Sequence, residues 1–183
     1  MREAVQKLEA EGYIDRVPMK GNRVRSLSPH ELAHSFSIRK ALETLAVQYS
    51  AIRITDGELA CLEEILSRAD ILFASSSGDA LLEGFIPLVR RFNSVTFEAC
   101  RSKRLLEFIW SEREIFDRYR VMRSIIPVRA EKSLERRKEL YEAFRRHNPE
   151  KARIIWTEHL DESFTIWREQ SGYGKELEDF QFI

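Results

Sequence analysis

The sequence has little cysteine, glycine and proline. Its two cysteines, Cys61 and Cys100, do not have the spacing of metal ligands, and a chain of 183 residues does not need a disulfide to hold its core. Unpaired thiols are typical of a reducing compartment, so we expect a cytoplasmic protein. Seven glycines and five prolines are too few for a loop-rich all-β fold.

Net charge and long apolar runs are absent as well. The 30 Lys and Arg residues balance the 30 Asp and Glu residues, so no overall field attracts the chain to nucleic acid or to a membrane. Any anion-binding surface must therefore be local. No apolar run approaches the roughly 18 residues of a membrane span, and the charged N-terminus lacks the apolar core of a signal peptide. Hydrophobic residues still make up 43% of the chain, which is enough for a folded core.

The first 26 residues differ in pattern from the rest of the chain. Residues 1–11 are strong helix formers, and Gly12 is a favourable helix stop. Two short β-like pieces follow on either side of a turn at residues 18–21, which predicts a β-hairpin. From Arg16 to Arg25 there are four basic residues and no acidic one. A helix followed by a basic ribbon is typical of a winged helix-turn-helix that contacts DNA, and an ordinary surface hairpin is the alternative.

From residue 27 onward the chain has the periodicity of long amphipathic helices. The pattern predicts helices at about residues 29–53, 55–73, 79–99, 102–124, 128–147 and 149–171, with breaks at Pro127 and Asn148-Pro149. Gly84 and Pro87 are expected to kink or divide the third of these helices. Leu45 is among the residues expected to face the core. No strand pattern follows residue 26, so we expect a mostly α fold, an antiparallel bundle of about six helices.

Several stretches of the sequence resemble a known family of transcription regulators. REAVQKLEAEGYI at residues 2–14 and KGNRV at residues 20–24 are similar to the recognition helix and wing of GntR-family regulators. SPHEL at 28–32, IRKALETLA at 38–46 and TDGEL at 55–59 are similar to the FCD effector-binding domain of the FadR subfamily. The resemblance spans about residues 1–170.

This resemblance implies three segments. They are a partial winged helix-turn-helix at residues 1–26, an all-α effector-binding and dimerisation domain at 27–171, and a C-terminal tail at 172–183. The implied protein is a homodimer that binds operator DNA and changes its affinity when a small-molecule effector, an organic acid, binds in the helical domain. We expect the dimer to form through the helical domain. A stand-alone ligand-binding or interaction bundle that has lost DNA binding is the competing hypothesis.

The resemblance also identifies candidate DNA contacts. Arg2 would contact DNA from the recognition helix, and Lys20, Asn22 and Arg23 would contact it from the wing. Solvated surface side chains are the alternative for all four. In this family two helices precede the recognition helix, whereas the given sequence begins at that helix. We therefore expect the 183-residue chain alone to bind DNA poorly, with only a weak, salt-sensitive attraction.

FCD domains commonly bind a divalent metal through an Asp, a His four residues later and two further His. The matching positions of this sequence are Val89, Asn93, Arg137 and His159. Valine cannot bind a metal, an amide oxygen is a poor zinc ligand and a guanidinium repels cations, so we expect neither a metal nor a cofactor. We expect Arg137 to bind the carboxylate of the effector instead, with Asn93 and His159 as further donors.

Arg137, His159 and Arg39 each have an alternative role in which they bind no effector. The alternative for Arg137 is a solvated basic face formed together with Arg136 and Lys138, and the alternative for His159 is an interior histidine with satisfied hydrogen bonds. Arg39 is a further effector candidate, because the corresponding Arg of this subfamily often lies near the effector. The alternative for Arg39 is an i,i+4 ion pair with Glu43 on the helix surface. No nucleophile–base pair, phosphate-binding glycine loop or carboxylate pair is found, so we expect no enzyme activity.

Overall fold

The computed structural model describes residues 2–10, 14–17, 21–24, 28–118, 121–173 and 175–177. Their elements are α1 (Arg2–Ala10), β1 (Ile14–Val17), β2 (Gly21–Val24), α2 (Pro29–Arg53), α3 (Asp56–Ser75), α4 (Gly78–Glu98), α5 (Lys103–Arg118), α6 (Val121–Arg145) and α7 (Pro149–Gln170). The mostly α fold with six long helices is confirmed. Within these residues, no helix is both long enough and apolar enough to cross a membrane.

A short helix and a β-hairpin begin the described part of the chain. Strands β1 and β2 are antiparallel, with Ile14 opposite Val24 and Val17 opposite Gly21. Gly21 has a φ of +86°, in the left-handed region that other residues rarely adopt, so a glycine suits the start of β2. The two strands of the predicted hairpin are therefore confirmed, and its turn at residues 18–20 lies outside the described residues.

Helices α2 and α3 begin at the caps that the sequence predicts. Ser28 and Thr55 each accept a hydrogen bond from the backbone N–H three residues later. The glutamates at those positions, Glu31 and Glu58, accept from the backbone N–H of the capping residue in return. Because these reciprocal bonds satisfy N–H groups that have no partner within the helix, they fix where each helix starts.

The break predicted at Pro127 is displaced in the structure. Helix α5 ends at Arg118, earlier than expected, and helical backbone resumes at Val121 and extends to Arg145. Its interruption falls at Arg129, where φ is −133° and ψ is 22°. The backbone therefore departs from helical geometry two residues after Pro127, the position at which the sequence predicted the break.

Helix α4 is continuous, so Gly84 and Pro87, which were expected to kink or divide it, do not divide it. It extends from Gly78 to Glu98 with Pro87 inside it. Gly84 has a packing role instead, because a Cβ atom at this position would lie 2.9 Å from the methyl carbons of Leu72 on α3. The missing side chain thus allows α3 and α4 to approach each other closely.

The apolar interior of the bundle consists of two clusters separated by polar side chains. The smaller cluster contains Phe36 and Phe116, whose ring centroids are 4.5 Å apart, and the larger contains Phe97. The Arg39 Cζ atom lies 4.3 Å from the Phe116 ring centroid, and the Arg113 Cζ atom lies 4.8 Å from that of Phe97. Charged groups therefore lie between the two apolar clusters.

One residue that was expected in the core faces outward. Leu45 is 41% exposed, whereas its neighbour Ala46 is completely buried. Ile38 and Ile52, seven residues to either side of Leu45, are also exposed. Because seven residues make close to two helical turns, the three side chains form one outer apolar stripe on α2. Helical periodicity alone places Leu45 on a buried face, whereas the packing of α2 against its neighbours leaves this stripe uncovered.

Candidate functional site

Buried polar side chains from five helices gather at the centre of the bundle. We call them the interior polar cluster; its members are Arg39 and Glu43 (α2), Asn93 (α4), Arg113 (α5), Arg129, Ser133 and Arg137 (α6), and His159 and Ser163 (α7). All are buried except Arg113, whose side chain is 18% exposed. The structure thus brings all four predicted effector residues into one cluster.

Arg137 is a buried cation in contact with neutral groups. Its Nη1 donates to the backbone oxygen and the hydroxyl of Ser133, one turn earlier, and its Nη2 donates to Asn93 Oδ1 at 3.2 Å. The Cζ atom lies 5.6 Å from the ring centroid of Phe92 and 6.0 Å from that of Trp156. Among the described residues, no carboxylate forms an ion pair with Arg137 and no acceptor binds its Nε–H.

The electrostatic environment of Arg137 is unfavourable for a cation. Burial, followed by repulsion from Arg129 and Arg113, lowers the pKa of Arg137 to about 9. Glu43 acts in the opposite direction but does not outweigh these effects. Since a buried charge without a counter-ion costs several kcal/mol, this position favours an anion.

A second group of charges surrounds Glu43, which is completely buried. Its Oε1 lies 2.9 Å from the Nε atoms of both Arg39 and Arg113. Its Oε2 accepts from Arg113 Nη2 and from Trp156 Nε1, each at 3.0 Å. Burial opposes the ionisation of Glu43, but Arg113 and Arg39 outweigh burial and lower its pKa. The i,i+4 pair of Arg39 and Glu43 thus exists, in the interior of the bundle.

His159 lies beside both groups of charges. Its ring stacks on Trp156 with the centroids 4.7 Å apart, and its Nδ1 lies 3.1 Å from Arg129 Nη2. Because a guanidinium can only donate, Nδ1 accepts, and the proton of the neutral ring is on Nε2. Burial, then the charges of four arginines with Arg137 first, hold the pKa of His159 well below its usual range. His159 is therefore neutral near pH 7.

Arg129 has more hydrogen-bond partners than the other arginines of the cluster. Its Nη1 donates to the His159 backbone oxygen at 2.8 Å and to the Ser163 hydroxyl. Its Nη2 also donates to Glu162 at 3.1 Å, which provides a counter-ion. Burial is the main cause that lowers the pKa of Arg129, and Glu162 opposes it. Arg129 thus connects the kink in α6 to α7.

The predicted DNA contacts lie in the N-terminal segment, which precedes all residues of the interior polar cluster in the sequence. Asn22 and Arg23 are exposed on β2, and Asn22 lies opposite Arg16 on β1. Arg2 begins α1. Lys20 lies outside the described residues. The role of these four residues in DNA binding stays a prediction.

Three important side chains of the site were not found by sequence reasoning. Arg113 lies between Glu112 and Glu114, a charged run that is typical of a solvated surface. Arg129 follows a predicted helix break and shows no pattern. Trp156 was also missed, although the sequence holds a signal for it: it shares a helix face with His159 at i,i+3 spacing, which places an aromatic ring beside the predicted histidine.

Comparison with known proteins shows which family has this architecture. The family model described as the FCD domain matches residues 34–162. The chain belongs to the FCD domain family. The resemblance to GntR-family regulators with an FCD domain is thereby confirmed, and this family is one of transcription regulators rather than an enzyme class.

Two relatives of this FCD protein are named as transcription regulators. It is 33% identical to the Nta operon transcriptional regulator of Aminobacter aminovorans over 81 residues, 44% of this chain and 39% of that protein. It is 23% identical over 176 residues to the uncharacterized HTH-type transcriptional regulator YdhC of Bacillus subtilis, 96% of this chain and 77% of YdhC. The matches therefore cover only part of each relative.

Solved structures share the fold of this FCD protein. The E. coli McbR/YncC structure has a TM-score of 0.72 at 23% identity, covering 93% of this chain and 79% of that one. Streptococcus agalactiae GntR has a TM-score of 0.58 at 18% identity, covering 90% and 79% respectively. At these identities the similarity establishes the fold.

The residues at the family's metal-binding positions do not fit a divalent metal in this FCD domain. Val89 is buried one turn before Asn93 and has no donor atom, and Asn93 already accepts from Arg137. Three further arginines act electrostatically on His159, the remaining candidate ligand. Within the described residues, no three His, Cys, Asp or Glu side chains are grouped as metal ligands. A cationic interior of this kind repels a metal ion and attracts an anion.

Proposed function

We propose that this FCD protein is a transcription regulator whose affinity for operator DNA is controlled by a small organic acid bound in the interior polar cluster. Membership of the FCD family and the names of its relatives support the regulatory role. One observation supports the acidic effector above all: Arg137 is 3% exposed and has no carboxylate partner among the described residues.

A carboxylate would complete the hydrogen bonds of Arg137. The bonds to Ser133 and Asn93 use three of its five N–H donors, which leaves Nε–H and one Nη2 hydrogen. Two donors on one guanidinium match the two oxygens of a carboxylate. The Nε2–H of His159 could donate to the same ligand. Phe92 and Trp156 would contact its apolar part.

Helix α2 connects this site to the N-terminal segment. The helix begins at Pro29, a few residues after strand β2 ends at Val24. Its Glu43 accepts from Trp156, whose ring faces Arg137. A ligand that displaces Trp156 would alter the bonds that hold α2, and this provides a physical route from effector to hairpin. Coupling between the two sites then appears as a change in DNA affinity.

The effector part of the proposal is tested with the Arg137→Met variant. Methionine keeps most of the side-chain volume but removes the charge, so the fold is retained. Titration calorimetry against a panel of small carboxylic acids should show at least one that binds the wild type and loses most of its affinity in Arg137→Met. Lys138→Met is the matched control, because Lys138 is 47% exposed on the same helix, and it should bind as the wild type does. Equal affinity of wild type and Arg137→Met would contradict the proposal.

The DNA part is tested with the product of the entire reading frame. Fluorescence anisotropy should show sequence-specific binding to DNA upstream of its own gene, and this binding should weaken when Asn22 and Arg23 are replaced by alanine. Adding the acid identified by calorimetry should change the DNA affinity. If that protein binds the acid but no DNA at physiological salt, the stand-alone ligand-binding bundle is the correct interpretation.

A further inference from the structure

Four hydrogen bonds hold the guanidinium of Arg129 in the interior of the bundle. Its Nη1 donates to the His159 backbone oxygen at 2.8 Å and to the Ser163 hydroxyl. Its Nη2 donates to Glu162 and lies beside His159 Nδ1, each at 3.1 Å. The four Nη hydrogens of the guanidinium thus have four acceptors. Because all of these acceptors belong to α7, Arg129 cannot turn away from His159 without losing them together.

The partners of Arg129 are themselves held in place. The second carboxylate oxygen of Glu162 accepts from Arg136 Nη2 at 2.6 Å. The His159 ring stacks on Trp156, with an angle of 28° between the two planes. Neither the guanidinium nor the imidazole is therefore free to rotate, and the contact between Arg129 and Nδ1 is fixed from both sides.

A histidine that binds a metal needs the opposite kind of neighbour. When one ring nitrogen binds a metal, the other carries the proton and donates it to a carboxylate, a backbone oxygen or a water molecule. Nδ1 of His159 instead faces the guanidinium of Arg129, which can donate but cannot accept. The proton of the neutral ring is therefore on Nε2, and a protonated nitrogen has no lone pair for a metal.

We infer that Arg129 is a positioning residue that determines which class of ligand the interior polar cluster accepts. Its bond to Nδ1 keeps His159 as an N–H donor through Nε2, which suits an anion and excludes a metal ion. Arg129 has this effect whatever side chains stand at positions 89, 93 and 137. The inference rests on the proposed function, because it concerns the ligand class of the same site, but the state of His159 is measured without a ligand.

The first test determines the tautomer of His159 by NMR in the ligand-free protein. Long-range ¹H–¹⁵N correlation spectra of ¹⁵N-labelled protein at neutral pH distinguish a protonated ring nitrogen from an unprotonated one, and His159→Gln identifies the signals. The wild type should show a protonated Nε2 and an unprotonated Nδ1. A proton on Nδ1, or on both nitrogens, would overturn the inference.

Two variants show whether Arg129 sets this tautomer. In Arg129→Met the donor to Nδ1 is gone, so signals of the tautomer with a proton on Nδ1 should appear. Arg136→Met is the matched control, because Arg136 is on the same helix and binds the same Glu162. The control should keep the wild-type tautomer. If Arg129→Met keeps it as well, Arg129 is not the positioning residue.

The second test measures zinc affinity in a background with ligands at the other three positions, the triple variant Val89→Asp, Asn93→His, Arg137→His. Adding Arg129→Met should raise the zinc affinity about tenfold or more, the usual effect of a partner on the second nitrogen of a ligand histidine. Adding Arg136→Met removes a nearby charge as well and should leave the affinity unchanged. Competition with a chromophoric chelator measures both, and equal affinities with and without Arg129 would contradict metal exclusion.

The two tests remain informative whatever happens to the effector. If the triple variant does not fold, as judged by circular dichroism, the tautomer of the wild type and of Arg129→Met decides the inference. If no carboxylic acid binds the protein, the proposed effector fails while the role of Arg129 stands on the NMR result. A proton on Nδ1 would overturn the role of Arg129 and leave a carboxylate at Arg137 unaffected.

Discussion

At the scale of single residues, His159 shows how strongly the arginines determine the chemistry of this interior. The residue is buried against Trp156, and Arg137, Arg129, Arg113 and Arg39 all disfavour its charged form. Among the residues that the structure describes, Glu43 forms ion pairs with Arg39 and Arg113, and Glu162 forms one with Arg129. Protonation of His159 would therefore add a fifth cation to a region that already lacks counter-charge.

We predict that protonation of His159 destabilises the fold in acid. Its pKa in the folded chain is below the usual 6.5, so the unfolded state binds the proton more readily, and stability falls as the pH decreases below about 6.5. The loss attributable to His159 is up to about 1.4 kcal/mol per pH unit. Urea unfolding at about pH 7.5 and pH 5.5 should show a smaller loss for His159→Gln than for the wild type.

The control for this prediction is His147→Asn. His147 lies just after α6, with its Nδ1 atom 2.9 Å from the Ala51 backbone oxygen, and asparagine tolerates the left-handed φ of 45° found there and also carries a side-chain N–H donor. This variant should keep the pH dependence of the wild type. An identical loss in wild type and His159→Gln would show that His159 makes no contribution.

At the scale of elements, the starts of α2 and α3 depend on local hydrogen bonds. Thr55 and Glu58 form the capping box of α3, and Glu58 is additionally bound by both Nη atoms of Arg101 at 2.7 and 2.8 Å. Arg101 has a φ of 55° between α4 and α5. The cap of α3 is therefore also a contact with the α4–α5 connection.

We predict that Thr55→Ala destabilises the protein by about 1 kcal/mol, because the backbone N–H of Glu58 loses its acceptor and the Glu58 carboxylate loses the bond from the Thr55 hydroxyl. Chemical unfolding monitored by circular dichroism measures this difference. Thr165→Ala is the matched control, since Thr165 is exposed inside α7, where alanine is the better helix former. The control should be neutral or slightly stabilising. Equal effects of the two substitutions would contradict a role of the cap.

At the scale of the whole molecule, the outer stripe of α2 indicates how two copies would meet. Ile38, Leu45 and Ile52 are 46%, 41% and 58% exposed, and their seven-residue spacing extends over about 21 Å of helix. Spacing of this kind suits pairing with an identical helix around a twofold axis. We therefore propose that the expected homodimer forms through this face of the helical domain.

The dimer prediction is tested by introducing charge into the stripe. The double variant Leu45→Glu, Ile52→Glu should be monomeric in analytical ultracentrifugation, because pairing would bury four carboxylates. Ile71→Glu is the control, since Ile71 is 68% exposed on α3, and it should remain dimeric. Deletion of residues 1–26 should also leave the dimer intact. A dimeric double variant, or a monomer after the deletion, would contradict this interface.

The sequence by itself determined the helical elements, because the signals that define them are local. The capping boxes at Ser28 and Thr55, the hairpin strands and the buried stripe of α4 each depend on residues within a few positions of one another. The FCD resemblance added four effector candidates, Arg39, Asn93, Arg137 and His159, and the structure places them together.

Only the tertiary structure decided which charges lie in the interior and what they contact. Arg113 reaches Glu43 across 70 positions of sequence and Arg129 reaches His159 across 30, and no local pattern encodes such pairs. Leu45 has the same helical periodicity as a core residue, yet it is 41% exposed because none of the described helices covers that face. Periodicity determines which residues share a face of a helix, whereas burial depends on what packs against that face.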